Sequence, residues 1–217
     1  MIRLFVGYDE REAVGSATFV DSVLRRCSTQ VSITPISGLQ YNGSNSFTYA
    51  RYMIPSYCRY NGWAIFADGA DMVCLADLAE LWDRRDDRYA VQVAQHEYKT
   101  NNPRKYIGSK MESPNVDYPR KNWSSLMLVN CMHRRAYQSN LVPKMGMHQF
   151  DWLQDEDIGS LPLEWNWLVD EFGPNPEAKI LHWTQGIPAF PHYRNAPMAD
   201  IWREAHRQSQ QGLEGGA

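Results

Sequence analysis

The chain has 217 residues, 43% of them apolar, and a formal net charge of −3. That length supports the core of one large α/β domain or two small ones, and the charge gives no electrostatic pull toward nucleic acid or anionic membranes. Met1–Asp9 is too short an apolar start for a signal peptide or anchor, and no later run approaches a membrane-spanning helix. The four cysteines form no CxxC pair, so buried free thiols in a reducing cytoplasm are expected. Eight Trp and twelve Tyr are expected mostly in the core, with some free to stack on a planar or sugar ligand.

In chain order, Ile2–Val6 reads as a buried strand and Gly7-Tyr8-Asp9 as its turn. Asp9 with Glu12 forms a capping pair that opens a helix through about Arg26. Val31–Ile36 alternates like a half-buried strand, and Ser37–Ser46 is a Gly/Ser/Asn loop. Thr48–Arg59 reads as a helix with a boundary or kink at Pro55. Trp63–Ala67 is an apolar strand, Leu75–Trp82 a helix and Tyr89–Ala94 a strand. His96–Asn122 is polar, carries three prolines and has no period, which suits a lid or an acceptor-binding excursion. Ser125–Val129 is a strand, and Met132–Tyr137 and Asp151–Ile158 are short helices. Lys179–His182 is a last strand, Ile201–Gln208 a terminal helix, and residues 209–217 a flexible tail. The expected organisation is one domain over 1–208. Its nucleotide-binding half spans about 1–95 and its acceptor and sugar half about 96–208. Strand–helix alternation over the first 95 residues makes that first half Rossmann-like.

Five constellations can carry chemistry. Asp68 and Asp71 follow a buried strand, where an unpaired carboxylate is disfavoured and where open α/β sheets bind ligands. Mg²⁺ and Mn²⁺ take one or two carboxylates and fill the rest with water and phosphate. These residues alone serve equally as a metal pair or as an Asp–Gly turn with Asp71 capping the next helix. His182 ends another apolar strand before Gly186-Ile187-Pro188; it is a structural histidine or a third ligand, and imidazole suits Mn²⁺ better than Mg²⁺. Arg51 can clamp a phosphate, although by itself it reads as a surface residue of an amphipathic helix. Tyr118–Ser125 mixes basic, amide, aromatic and hydroxyl groups, as a sugar site does. Asp155-Glu156-Asp157 reads as a solvated helix start with one acid able to face the site.

Together these segments resemble the family 8 glycosyltransferases and their relatives of the GT-A fold, an α/β architecture with a Rossmann-like mixed sheet flanked by helices. The motifs stand in the family's order over Leu4–Pro188: Leu4–Asp9, Tyr49-Ala50-Arg51, Ile65–Met72, Asn122–Asn130, Asp155–Ile158 and His182–Pro188. The resemblance implies a UDP-sugar donor, a Mn²⁺ or Mg²⁺ ion and a carbohydrate or glycoconjugate acceptor. It implies transfer of a hexose-type sugar with retention of anomeric configuration. It makes Asp68, Asp71 and His182 the metal ligands, with Asp68 and Gly69 also near the nucleotide. Gly7, Tyr8 and Asp9 would meet the uridine, Arg51 the nucleotide or sugar, and Gly186 the diphosphate. Asn122, Trp123, Ser124 and Ser125 would contact substrate. Asp155 and Glu156 would be catalytic by hydrogen-bonding the sugar or stabilising positive charge, not as nucleophiles.

Two departures stand out. The family places one residue between the two acids; here Gly69 and Ala70 intervene. Asp-x-Asp projects both acids to one side of an extended segment, whereas Asp-x-x-Asp does so only across a bulge or turn, for which Gly69 is the permissive residue. Trp123 also stands where the family has Asn, with Asn122 one place earlier. Two rival readings remain: a nucleotide-sugar or carbohydrate-binding module that has lost turnover, and a nucleotidyltransferase. The second lacks its phosphate loop, since Gly7-Tyr8-Asp9-Glu10-Arg11 holds one glycine and two acids.

Overall fold

A computed structural model of the chain describes residues 1–38, 45–136, 138–141 and 144–211, with the side chains at 140–141 and 144–145 left aside. Its strands are β1 (Ile2–Gly7), β2 (Val31–Ile36), β3 (Trp63–Ala67), β4 (Met72–Cys74), β5 (Val91–Ala94) and β6 (Arg104–Lys105). They continue with β7 (Ser113–Pro114), β8 (Leu126–Asn130), β9 (Ile158–Leu161), β10 (Trp167–Leu168) and β11 (Ile180–His182). The helices are α1 (Ala13–Leu24), α2 (Ile54–Tyr57), α3 (Leu78–Trp82), α4 (Lys144–His148), α5 (Val169–Phe172) and α6 (Ala199–Gln211). The main sheet has the order β2-β1-β3-β8-β5-β9. Strands β1, β2 and β3 run parallel, β8 runs against both β3 and β5, and β9 is parallel to β5. The expected mixed α/β sheet is therefore present.

Period-two side chains divide the two layers of the core. Leu4, Val6, Ile65, Ala67, Leu126 and Leu128 pack with Phe19 and Val23 of α1 on one face. Phe5, Ala64, Phe66, Met127 and Val129 pack with Phe47, Ile54 and Phe150 on the other. Strands covered on both faces read as unbroken apolar runs, which is why Trp63–Ala67 and Leu126–Val129 carry so little polar character. A second sheet, β10-β11-β4, lies over a third apolar cluster built around Trp183 and Trp202.

Several expected elements differ. Asp9 caps only a 3-10 turn over Glu10–Glu12, and Glu12 turns inward with no capping bond. Thr48–Arg59 divides into a 3-10 turn over Ala50–Met53 and the short α2, with Pro55 in the first turn of α2. Residues 72–74 form β4, because they pair with β11. The helix starts instead after Asp77, whose carboxylate accepts from Ala79 N at 2.9 Å. Met132–Ala136 form turns and no helix; His133 and Arg135 there reach Asp157 at 3.7 and 3.1 Å, and residue 137 lies outside the described residues. Asp151–Ile158 gives a 3-10 turn over Asp155–Asp157, and Ile158–Leu161 then joins the sheet as β9. Helix α6 runs to Gln211, so the expected tail begins inside it; residues 212–217, and residues 39–44 of the expected loop, lie outside the described residues.

Candidate active site

Strand β3 ends at Ala67, and the chain turns at once. Gly69 has φ +72°, Ala70 N donates to Asp68 O at 2.8 Å and Met72 N to Gly69 O at 3.2 Å. A Cβ on Gly69 would sit 2.4 Å from Val6 Cγ1, so both the left-handed backbone and the close packing demand glycine. This turn resolves the spacing of the two acids: Asp71 heads β4 and does not cap a helix, and its carboxylate comes back toward Asp68. Strand β11 runs antiparallel to β4 and places His182 opposite Met72. Asp68, Asp71 and His182 thereby offer one ligand atom each, all within 4.8 Å of one another.

These groups face a cavity of about 230 Å³. Asp71 and His182 are buried, with His182 Nε2 3.3 Å from Asp71 Oδ2. His182 Nδ1 donates to Asn166 Oδ1 at 2.9 Å, and Asn166 Nδ2 donates to Ser125 Oγ at 2.8 Å and Asn122 O at 3.2 Å. The amide thus fixes the ring and directs Nε2 at the acids, as an outer-shell partner of a ligating histidine does. Asp71 Oδ1 and Thr184 Oγ1 are buried without a hydrogen-bond partner among the described residues, and both residues line the cavity. Two hard carboxylates, an imidazole and an orphaned acceptor fit a divalent cation of the Mn²⁺ or Mg²⁺ kind.

The electrostatics agree with an acid-rich site. Burial pushes Asp68 up to about 6; Arg51 opposes that shift and Asp71 adds to it. Burial alone would lower the His182 value, but the Asp71 carboxylate outweighs it and the net shift is upward. Glu12, fully buried, is pushed to about 9 by burial and then by Asp71, Asp9 and Asp68. Its Oε2 accepts from Asn45 Nδ2 at 3.1 Å. Three carboxyls thus crowd a poorly solvated region, a charge excess that a cation relieves.

The other expected residues divide. Arg51 is buried, not on the surface: Nη1 lies 2.7 Å from Asp68 Oδ1, and its guanidinium sits 4.7 Å from the Phe66 ring centre. Asn122, Ser124 and Ser125 line the cavity. Trp123 does not; its Nε1 donates to His96 O at 2.9 Å. Asp9 is held by Arg11 at 2.6 Å and by the backbone N–H of Ser46 at 2.9 Å. Burial works against its charge, but these partners outweigh burial and keep its carboxyl well below the usual range. Tyr8 is exposed, and Gly7 packs under the Phe47 ring. Gly186 abuts Tyr193, where a Cβ would fall 2.4 Å from the ring. Asp155 is 90% exposed and paired with Arg120, Glu156 is exposed, and the structure brings neither to the cavity wall.

Sequence reasoning missed Asn45, Lys105, Tyr106 and His148 in the lining; Tyr49, Tyr118 and Thr184 fall within segments it singled out, without a role of their own. His148 Nδ1 lies 2.9 Å from the Tyr52 hydroxyl and 3.2 Å from Ser124 Oγ, and burial drives its value down to about 3. It is a neutral imidazole beside Tyr49 and Tyr118. Lys105 and Tyr106 come from the segment read as a lid, whose composition was the one available signal for them.

No family model matches the chain. It is 38% identical over 224 residues to protein CDI of Arabidopsis thaliana, an alignment covering 92% of this chain and 84% of that protein. The chain belongs to the CDI family. Among solved structures, this CDI-family chain superposes on the WbbM bifunctional glycosyltransferase with TM-score 0.72, at 15% identity over 98% of its length. It matches GlyE of Streptococcus pneumoniae TIGR4 with TM-score 0.64 at 13% identity over 99% of its length. A third match is the galactosyltransferase LgtC, solved with donor and acceptor sugar analogs, with TM-score 0.60 at 13% identity over 95% of both chains. The chain spans 50% of the WbbM chain and 64% of the GlyE chain. At these identities the matches establish the fold, which is that of glycosyltransferases. Among the described residues no helix is long and apolar enough to cross a membrane.

Proposed function

We propose that this chain is a metal-dependent glycosyltransferase of family 8 type. It moves a hexose from a UDP-sugar to a carbohydrate or glycoconjugate hydroxyl with retention of configuration. The observation that carries the reading is the convergence of Asp68, Asp71 and His182 on one point of a polar cavity, in a chain with a glycosyltransferase fold. Mn²⁺ or Mg²⁺ held there would neutralise the diphosphate as charge develops on it.

The chain's own residues do the rest. Asp71 and His182 fix the ligand geometry, with Asn166 orienting the imidazole. Arg51 holds Asp68 in place. Tyr49 and Tyr118 offer apolar faces, and Asn122 and Ser124 polar groups, to a sugar. The bond from the anomeric carbon to the β-phosphate oxygen breaks with oxocarbenium character. The acceptor hydroxyl adds on the same face, and its proton passes to the departing phosphate oxygen. With Asp155 and Glu156 off the cavity wall, this route needs no enzymic nucleophile.

The test is a thermal-shift screen of nucleotides and UDP-sugars with and without Mn²⁺, followed by a UDP-release assay. A ligand specific for the folded state raises its apparent stability. Stabilisation by UDP that depends on Mn²⁺, with UDP release from a UDP-sugar, supports the transferase. Tight UDP binding with no turnover of any donor favours a binding module.

A further inference from the structure

The four cysteines divide into two kinds. Cys74 is buried and donates its thiol to Ala76 O at 3.2 Å, and burial pushes it up to about 11. Cys27 donates to the Asp77 carboxylate. Each is tied to an oxygen, in surroundings that disfavour its thiolate. Cys58 and Cys131 are tied to each other. The backbone brings that pair together. Cys58 closes α2, with its N–H on Ile54 O at 2.9 Å, and its carbonyl accepts from Asn61 N at 3.1 Å. That turn delivers the chain to Gly62, whose carbonyl accepts from Cys131 N at 2.9 Å. This bond carries the β3–β8 ladder one step past the Trp63–Asn130 pair. Both side chains enter the same core layer beside Ala64 and Val129, and the Cys131 thiol donates to the Cys58 sulfur. Arg3 holds the same corner: its guanidinium donates to Asn61 O and, at 2.8 Å, to Trp63 O.

The two sulfurs are not equivalent. Cys131 is 1% exposed and Cys58 8%, and Cys58 stands in the chain between the exposed Tyr57 and Tyr60. The hydrogen bond from Cys131 draws Cys58 down to about 7; burial opposes this and Arg3 assists it. The same bond, together with burial, pushes Cys131 up. A sulfur nearer the surface and beside a cation, with a second thiol in contact behind it, is the arrangement of an attacking and a resolving cysteine.

We propose that Cys58 and Cys131, at the opposite end of β3 from Asp68, are a modification site that hydrogen peroxide closes to a reversible intramolecular disulfide. This is independent of the transferase reading. The Cys58 thiolate attacks a peroxide oxygen: an S–O bond forms, the O–O bond breaks, and the leaving hydroxide takes a proton to become water. Cys131 then attacks the Cys58 sulfenic acid. The S–S bond forms, the S–O bond breaks, and the departing hydroxide leaves as a second water with the Cys131 proton. The sulfur pair gives up two electrons and the peroxide accepts them. In a reducing compartment the dithiol is the resting form and the disulfide a transient one.

The experiment exposes the full folded chain to hydrogen peroxide, quenches it in denaturant with iodoacetamide and maps the peptides without reduction. The expected product is a Cys58–Cys131 cross-linked peptide that dithiothreitol separates, with Cys27 and Cys74 recovered alkylated. In the native, reduced chain at neutral pH, Cys58 is expected to alkylate more than about tenfold faster than Cys74. Cys131→Ser halts the reaction at the sulfenic acid, so that dimedone labels Cys58, whereas Cys58→Ser leaves Cys131 unlabelled and unlinked. The wild-type peptide map needs no variant and decides the matter where a serine variant fails to fold. Recovery of both Cys58 and Cys131 alkylated after peroxide, or a cross-link through Cys27 or Cys74, overturns the pair. Dimedone on Cys131 in the Cys58→Ser chain overturns the order of attack.

Discussion

The strand mouth at the ends of β1, β3 and β8 and the cover that closes over it from residue 96 onward are built on different rules. At the mouth, side chains alternate between two core layers, and Asp68 and Asp71 sit where the sheet stops. In the cover, Asn166 and His182 come from separate segments and are joined by the hydrogen bond of His182 Nδ1 to Asn166 Oδ1, and Asn166 is in turn bonded to Asn122 and Ser125. A site with its acids next to the end of the main sheet and its other groups on segments brought in from later in the chain separates what must be fixed from what must select. Substitutions at the mouth are therefore expected to abolish function, and those in the cover to grade it.

The largest expected effect is at Asp71. Asp71→Asn keeps the shape and removes the charge, and metal-dependent UDP release from the correct UDP-sugar should fall about a hundredfold or more, with little change in melting temperature. Unchanged metal-dependent turnover would take Asp71 out of the metal site and with it the distinction between mouth and cover. Next comes Gly69→Val. A side chain there meets Val6 and a left-handed backbone, at a cost of about 1–3 kcal/mol. Melting should drop and Mn²⁺ affinity should fall with it, because the turn is what brings the two acids together. Loss of stability with Mn²⁺ affinity intact would show that the turn serves the fold alone.

The two regions were also unequally legible. Trp63–Ala67 and Ile2–Gly7 declare themselves as strands because burial on both faces leaves nothing polar in them. Asp68 after the first of these is conspicuous for the same reason. The short β4, β9 and β10 were illegible, since runs of two to four residues carry no period and owe their extension to partners far along the chain. Arg51 read as a surface residue because Phe66 and Asp68, which it packs on and pairs with, come from β3 and the turn after it. His148 had no local signal either, and Lys105 only the polar composition of its segment. The exposed acids Asp155 and Glu156 looked suggestive in a row, yet three adjacent acids in a capped turn satisfy themselves with solvent, backbone and Arg120.

Asn166 tests the cover. Asn166→Ala removes the acceptor for His182 Nδ1 and both bonds to the 122–125 segment. Mn²⁺ affinity is expected to fall about tenfold, as for loss of an outer-shell partner, with residual turnover. A drop as large as that for Asp71→Asn would erase the graded difference between the two regions.

The smallest effect on turnover concerns Glu12, which lies behind the mouth and which the capping-pair reading placed at a helix start. In the fold its Oε1 has no hydrogen-bond partner among the described residues, and Oε2 accepts from Asn45 Nδ2. Burial, then Asp71, Asp9 and Asp68, raise its value from 4.5 to about 9. Between those values the unfolded chain has released this proton while the folded chain keeps it. The unfolded state then binds fewer protons, and stability falls as pH rises. Below about pH 4.5 both states hold the proton and the penalty vanishes. Glu12→Gln mimics the protonated acid and removes the dependence. In chelator, its stability should match wild type near pH 5 and exceed it increasingly toward pH 9, by at most about 1.4 kcal/mol per pH unit, read as a growing gap in melting temperature. Because Asp71 and Asp68 contribute to the shift, Mn²⁺ should shrink the difference between the two proteins. A pH-independent difference would mean that Glu12 is ionised in the fold, and the carboxyl excess at the mouth would then be larger by one charge.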